Sequence, residues 1–275
     1  MKVINKICKT TREYNEDFVF ANEKYAFVLD GATELKPNKI SNTSDACWYV
    51  NKFATYLENY LETNNICESL KKSLRDINSD IDKFSNNINT NLDIPSACVA
   101  VVKENSDNYE LYVLGDCSII YGNKEKQQLL TNTYIRELDK KQIKKMVKIA
   151  KEKNIDVIDA YKIILSDLKV QRSLKNKPNG YYVLDVYEDA VNHGTYIVIP
   201  KEGIDMILLL SDGFSSYYEC LGLEKDYKSF FLKNYETSID KLYEELRKRE
   251  SEDKKLNKYP RYKASDDASI IKLVK

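Results

Sequence analysis

The sequence has one histidine, His193, one tryptophan, and only 8 glycines and 5 prolines among 275 residues. Each scarcity excludes something. A Ser-His-Asp or Cys-His hydrolase would have to use the single imidazole, which sits beside Gly194 in a loop-like stretch, so catalysis through imidazole is not expected. The six cysteines, at 8, 47, 67, 98, 117 and 220, form no Cys-x-x-Cys pair, and most lie inside apolar patterns. They read as reduced buried thiols of a cytoplasmic protein, not as a zinc site or a disulfide framework. Charge of one sign is missing: Lys+Arg and Asp+Glu both number 43. The basic excess of a nucleic-acid binder is therefore absent, and no nucleic-acid partner is expected. No apolar run approaches the roughly 18 residues of a membrane span, and the Met1–Lys6 start carries no long apolar signal core, so neither membrane insertion nor secretion is expected.

What is present is an ordinary globular composition, 43% hydrophobic and 31% charged, arranged in two alternating periods. Residues 2–9 alternate weakly as a first strand. Asp17–Ala21 and Tyr25–Leu29, separated by Asn22-Glu23-Lys24, read as a hairpin. Over 44–61 the period becomes helical, with Thr43 or Ser44 as cap, and Leu70, Leu74, Ile77, Ile81, Phe84 and Ile88 form a second apolar helix stripe. Strands are predicted at 97–102, 109–114, 118–122 and 127–130. Helix follows over 134–175, with a basic face around Lys140–Lys153. Tyr181–Val186 and Thr195–Ile199 read as strands, Met206–Leu210 as a fully buried one, 225–250 as helix and 268–274 as the last strand. No repeat or linker divides the chain, so residues 1–275 are expected to form a single α+β domain with stacked antiparallel sheets and helices outside.

Acidic residues recur at strand ends. Glu16-Asp17 precedes a strand, Asp30-Gly31, Gly115-Asp116 and Asp212-Gly213 each follow one, and Asp266-Asp267 precedes the last. At Asp212-Gly213 the dipeptide is a turn signal, with glycine supplying positive φ. Carboxylates gathered without histidine or cysteine suit hard cations such as Mg²⁺ or Mn²⁺. Two such ions, about 3.5–4 Å apart, can share a carboxylate and activate a water for attack at phosphorus. Spacing alone leaves open whether these residues converge or serve separately as turns and caps.

In order, Arg12-x-x-x-Glu16-Asp17, Asp30-Gly31-Ala32-Thr33, Ser96-Ala97, Gly115-Asp116, Ser211-Asp212-Gly213 and Asp266-Asp267-Ala268-Ser269 resemble the motif series of the metal-dependent, type 2C serine/threonine protein phosphatases, closest to their bacterial branch. Each motif is short, but six stand in order between residues 12 and 271. The resemblance implies a central β-sandwich of two antiparallel sheets flanked by helix pairs. It implies two Mn²⁺ or Mg²⁺ ions at one end, with a third at Asp116. By position, Asp30 would bridge two metals and the Gly31 carbonyl would bind one. Asp212 and Asp266 would complete the other shell, and Glu16 and Asp17 would hold metal-bound waters. Arg12 would grip the substrate phosphate, the use for which a planar guanidinium fork is suited. Asp267 stands where many members have Asn and would act behind the ligands.

One position departs from the series. Many members carry His directly after the first Asp-Gly; here it is Ala32, so the leaving-group proton must come from water. The 134–175 helices fall where the family carries its variable flap, and substrate choice is expected there. The implied activity is hydrolysis of phosphoserine or phosphothreonine in proteins by a metal-activated water, in signalling opposite a cognate Ser/Thr kinase. The rivals are a non-catalytic signalling module on the same fold and a small-molecule phosphatase.

Overall fold

The computed structural model describes residues 1–36 and 38–275. Along the chain come β1 (Lys2–Lys9), β2 (Asp17–Ala21), β3 (Tyr25–Gly31), α1 (Asp45–Leu61), α2 (Ile66–Ile81), β4 (Ala97–Glu104), β5 (Asn108–Leu114), β6 (Ser118–Gly122) and β7 (Gln127–Thr131). Then follow α3 (Tyr134–Lys153), α4 (Val157–Ala160), α5 (Leu165–Arg172), β8 (Thr195–Pro200), β9 (Met206–Leu210), α6 (Asp212–Glu219), α7 (Tyr227–Lys233), α8 (Ile239–Ser251) and β10 (Ala268–Val274). The strands form two five-stranded sheets, in the orders β1-β10-β9-β6-β7 and β2-β3-β4-β5-β8. All their pairings are antiparallel.

Alternation along the strands separates the cores. Ala26, Val28, Ala100, Val102, Leu111 and Val113 face the other sheet and meet Ile119, Ile207, Leu209, Ile271 and Leu273 between the layers. The neighbours Phe27, Leu29, Val99, Val101 and Leu114 face outward onto α1 and α2, whose stripes Tyr49, Phe53, Leu57 and Leu70, Leu74, Ile77 are fully buried. On the other side Ile120, Leu208, Leu210 and Ile270 pack on Phe214, Phe230, Phe231, Leu242 and Leu246 of α6–α8. Strands apolar on both faces are what a sandwich covered by helices requires. Ser44 caps α1 by accepting from Cys47 N–H, and Asn65 caps α2 by accepting from Glu68 N–H, each satisfying an otherwise unpaired donor.

Several elements differ from the sequence reading. Residues 134–175 are not one helical run: α3 ends at Asn154, in the left-handed conformation (φ 52°), and α4, a 3₁₀ turn (Tyr161–Ile164) and α5 follow. These pieces enclose a small core of Met146, Ala150, Val157, Ala160, Ile164 and Leu168, closed by Leu256. A straight helix could not fold back on itself in this way. The 225–250 helix is interrupted, because Ser238 caps a new start at α8 while Asn234 ends α7. The second stripe passes at Asp82 into a 3₁₀ segment ending at Asn87. Tyr181–Val186 is not a strand: Tyr181 and Leu184 each make one isolated bridge, to Lys175 and Ala97. Asp185 Oδ1 then accepts from Val186 and Tyr187 N–H and turns the chain. Asp212-Gly213 is not a positive-φ turn but the first turn of α6.

Candidate active site

Two strand ends from different sheets meet at one end of the sandwich. Asp30 lies near the end of β3 and Asp212 directly follows Ser211 at the end of β9. Asp212 N–H donates to Asp30 Oδ2 at 3.2 Å, a bond that crosses between the sheets. Cross-strand register places Asp17 opposite Asp30 on one side and Cys98 on the other, and directly opposed residues share a face. Asp116 arrives from the β5–β6 turn, where Gly115 has φ +81°; a Cβ there would lie 2.2 Å from Cys98 Sγ. Asp266 and Asp267 enter just before β10. Gly213 allows that approach, since a Cβ on it would stand 1.8 Å from the Asp267 carbonyl oxygen.

The expected site residues fall into two groups. Asp30, Gly31, Asp116, Asp212 and Asp266 line two adjoining chambers, each of about 170 Å³. The half-buried Arg12 and the buried Glu16, Asp17 and Asp267 line neither. The Arg12 guanidinium lies 3.0 Å from Glu16 Oε2 and 3.7 Å from Asp266 Oδ1, and it pairs more closely with Asp267. Asp267 Oδ2 also accepts from Glu16 N–H at 2.9 Å. Glu16 in turn accepts from Ser44 Oγ at 2.8 Å and pairs with Thr33 Oγ1, and its carbonyl accepts from Gly31 N–H at 2.8 Å. Ala32, at the departure from the motif series, has its N–H on the Ser96 carbonyl at 2.9 Å. His193 stacks on Tyr182, with ring centroids 3.5 Å apart, and lines neither chamber.

The electrostatics are those of a crowded acidic cluster. Burial, and then repulsion from Asp212, Asp17 and Asp116, holds the Asp30 carboxyl well above the usual carboxylate range. Burial, Asp116 and Asp266 raise Asp212 likewise, with Lys263 opposing. Burial pushes Asp17 up to about 7; the nearby hydroxyls of Ser269 and Ser211 oppose the shift, and Asp267 and Asp266 add to it. Its Oδ2 is buried with no hydrogen-bond partner. Such an atom costs roughly 1–3 kcal/mol if left so.

Among the described residues, no three acidic, histidine or cysteine side chains are already drawn round one ion-sized position. The donor set nevertheless fits a hard divalent cation. It is built of carboxylate oxygens, the neighbouring Asp17 Oδ2 is buried without a partner, and its mutual repulsion is the kind a cation relieves.

Three residues of the chamber walls, Lys263, Asp139 and Arg172, carry little signal in the sequence. Lys263 donates to Asp266 Oδ1 at 2.9 Å and to Thr33 Oγ1 at 3.0 Å. Its place three residues before the last acidic pair is the only available clue. Asp139 on α3 accepts from Gln171 Nε2 at 2.9 Å and from Tyr262 Oη at 3.1 Å. Burial and Asp116 lift its carboxyl to about 6. Arg172 on α5 donates to the Thr33 carbonyl at 3.3 Å. Through these contacts the 134–172 helices form one side of the second chamber.

The model of the family described as protein phosphatase 2C matches residues 10–259. The chain belongs to the protein phosphatase 2C family. No curated protein matches the sequence, but solved structures share the fold. Serine/threonine phosphatase Stp1 from Staphylococcus aureus superposes with a TM-score of 0.58 at 11% identity, covering 100% of this chain and 96% of that one. The Mycobacterium tuberculosis serine/threonine phosphatase PstP/Ppp gives 0.55 at 11% identity over 98% of both chains. The catalytic domain of PstP in complex with two manganese ions gives 0.55 at 11%, over 98% of this chain and 95% of that one. The expected α+β sandwich is thus the observed fold, and the family's activity is that of a metal-dependent protein phosphatase.

Proposed function

We propose that this chain hydrolyses phosphoserine or phosphothreonine in proteins, with Mn²⁺ or Mg²⁺ held at the wall of Asp30, Asp212, Asp266 and Asp116. The observation that carries the reading is the meeting of Asp30 and Asp212 across the two sheets, 3.2 Å from backbone nitrogen to carboxylate oxygen. Asp30 and the Gly31 carbonyl would hold one ion, Asp212 and Asp266 its neighbour, and Asp116 a third. Glu16 and Asp17 hold waters from behind. Bound divalent ions neutralise the carboxylates and lower the pKa of a coordinated water.

The chain's own groups then position and select. Arg12 reaches a substrate phosphate by giving up Asp266, the longest of its carboxylate contacts at 3.7 Å. A fork that keeps Glu16 and Asp267 on one side can still present N–H groups on the other. Ala32 offers no proton, so the leaving alkoxide takes its proton from solvent. We further propose that residues 1–275 work as one phosphatase unit, with 134–175 as the flap that reads the phosphorylated partner and Arg172 at its base. A cognate Ser/Thr kinase supplies that partner.

Hydrolysis of an aryl phosphate and of phosphoserine and phosphothreonine peptides, measured with and without Mn²⁺ in wild type and Asp212→Asn, tests the proposal. Turnover that needs Mn²⁺ and falls at least about a hundredfold in the variant is expected. Metal-independent turnover, or an undiminished variant, refutes it. A panel adding nucleotides and sugar phosphates separates protein from small-molecule substrates.

A further inference from the structure

The cluster already contains a cation of its own. Lys263 lies in the loop before β10, its side chain about two-thirds shielded at 34% relative exposure. Its ammonium is on Asp266 Oδ1 at 2.9 Å and Thr33 Oγ1 at 3.0 Å. The side chain is on the wall of both chambers, together with Asp116, Asp212 and Asp266. Its loop is held from outside: Arg247 donates to the Asp266 carbonyl at 2.7 Å, and Arg261 Nη2 donates to the Ala264 carbonyl at 2.9 Å. The lysine is thus delivered to the carboxylates by a braced segment.

We infer that Lys263 is a built-in monovalent counter-ion on the Asp266 side of the cluster, and that a divalent ion binds there only by displacing its ammonium from Asp266. This rests on the metal-site reading above and adds a competitor to it. An ammonium on a carboxylate oxygen takes a lone pair that a metal needs, and its charge repels the arriving dication. The site then loads unevenly. The Asp30 side takes its ion first, and the Asp266 side fills only at higher metal concentration. Thr33 Oγ1, which also receives Arg12 Nη1 at 3.2 Å, ties the lysine to the phosphate-binding side, so loading and phosphate binding are linked through one hydroxyl.

Calorimetric and EPR titration of Mn²⁺ into the full chain tests this with wild type, Lys263→Met and Lys263→Arg. Thermal unfolding of each confirms the folded state before titration. In wild type one Mn²⁺ step is expected to be weaker than the other. In Lys263→Met the weaker step should tighten by at least about 30-fold, the worth of one unit charge roughly 4 Å from a dication even at the full dielectric of water. Lys263→Arg should stay weak. Equal affinities in wild type and Lys263→Met, or an Arg variant as tight as Met, overturns the inference while leaving the metal site standing. If none of the three binds Mn²⁺, the metal-site reading itself falls, and this inference with it.

Discussion

Replacing Asp30 by Asn should make the metal-free protein more stable and the metal-binding protein useless. Asp30 is buried against Asp212, Asp17 and Asp116, and its carboxyl is held well above its ordinary range by burial and by those neighbours. Two carboxylates roughly 5 Å apart at an effective dielectric near 20 repel by about 3 kcal/mol. Partial protonation in the native cluster removes part of that. The Asn carbonyl can still accept from Asp212 N–H, so no donor is orphaned. A net gain of about 1–2 kcal/mol follows, or roughly 2–8 °C in Tm for a chain of this size. The pH dependence fixes the sign. A carboxyl whose folded pKa is raised contributes fully below its unfolded value near 4 and loses that contribution as pH rises through the folded pKa. Metal-free wild type should therefore lose stability as pH rises above about 4 and through the raised folded pKa, and Asp30→Asn should lose less, so its advantage is larger at pH 8 than at pH 5. Adding Mn²⁺ should reverse the order, since a ligand at a hundred times its Kd stabilises by about 2.7 kcal/mol and only wild type binds it. Circular-dichroism melts in EDTA and in Mn²⁺ at the two pH values decide the matter. An Asp30→Asn variant less stable than wild type in EDTA at pH 8, or equally stabilised by Mn²⁺, refutes the reasoning.

Gly213→Ala should destabilise by about 2–3 kcal/mol, because its Cβ meets the Asp267 carbonyl at 1.8 Å, a backbone atom that cannot swing aside. A urea midpoint unchanged from wild type would contradict it. Lys175, 1% exposed and 3.6 Å from Asp185, is lowered by burial to about 8 despite Asp185. Its folded pKa lies below the unfolded value, so the unfolded chain holds more protons between about pH 8 and 10.4, and stability should rise with pH across that window by up to roughly 3 kcal/mol. Lys175→Met should flatten that rise in denaturant titrations at pH 8 and 10; an unaltered slope would refute the assignment.

The strands were legible because their faces are uniform. Met206–Leu210 is apolar at every position and fully buried, as expected of an inner strand with a sheet on one side and helices on the other. The α1 and α2 stripes were legible for the same reason. Helix breaks were not. Nothing in Asn154 or in Thr237-Ser238 outweighs the surrounding helical periodicity until tertiary packing decides, with Leu256 closing the small core from a hundred residues away. Tyr181–Val186 has a strand's composition, but beside Ala97 it finds only one bridging position. At the site, the acidic dipeptides were visible because strand ends repeat a local pattern. Lys263, Asp139 and Arg172 were not, because they reach the chambers from a loop and two helices whose placement no local pattern encodes.

Those acidic residues also hold their end of the sandwich together, which couples the site to the fold. Asp212 N–H to Asp30 joins one sheet to the other, and Glu16 N–H to Asp267 does so again. Ser211 and Ser269 lock β9 to β10, each backbone N–H donating to the other residue at 3.0 Å. Carboxylates that repel are thus fastened by backbone donors they themselves accept from. The repulsion cannot relax by letting the strand ends drift apart without leaving buried N–H groups unpaired, at roughly 1–3 kcal/mol each. Side-chain motion is cheaper than backbone motion here. The adjustable partners are the long cations, Arg12 and Lys263, while the strand ends remain fixed. A divalent ion held here as proposed would meet a rigid set of oxygens and two movable competitors, Arg12 and Lys263.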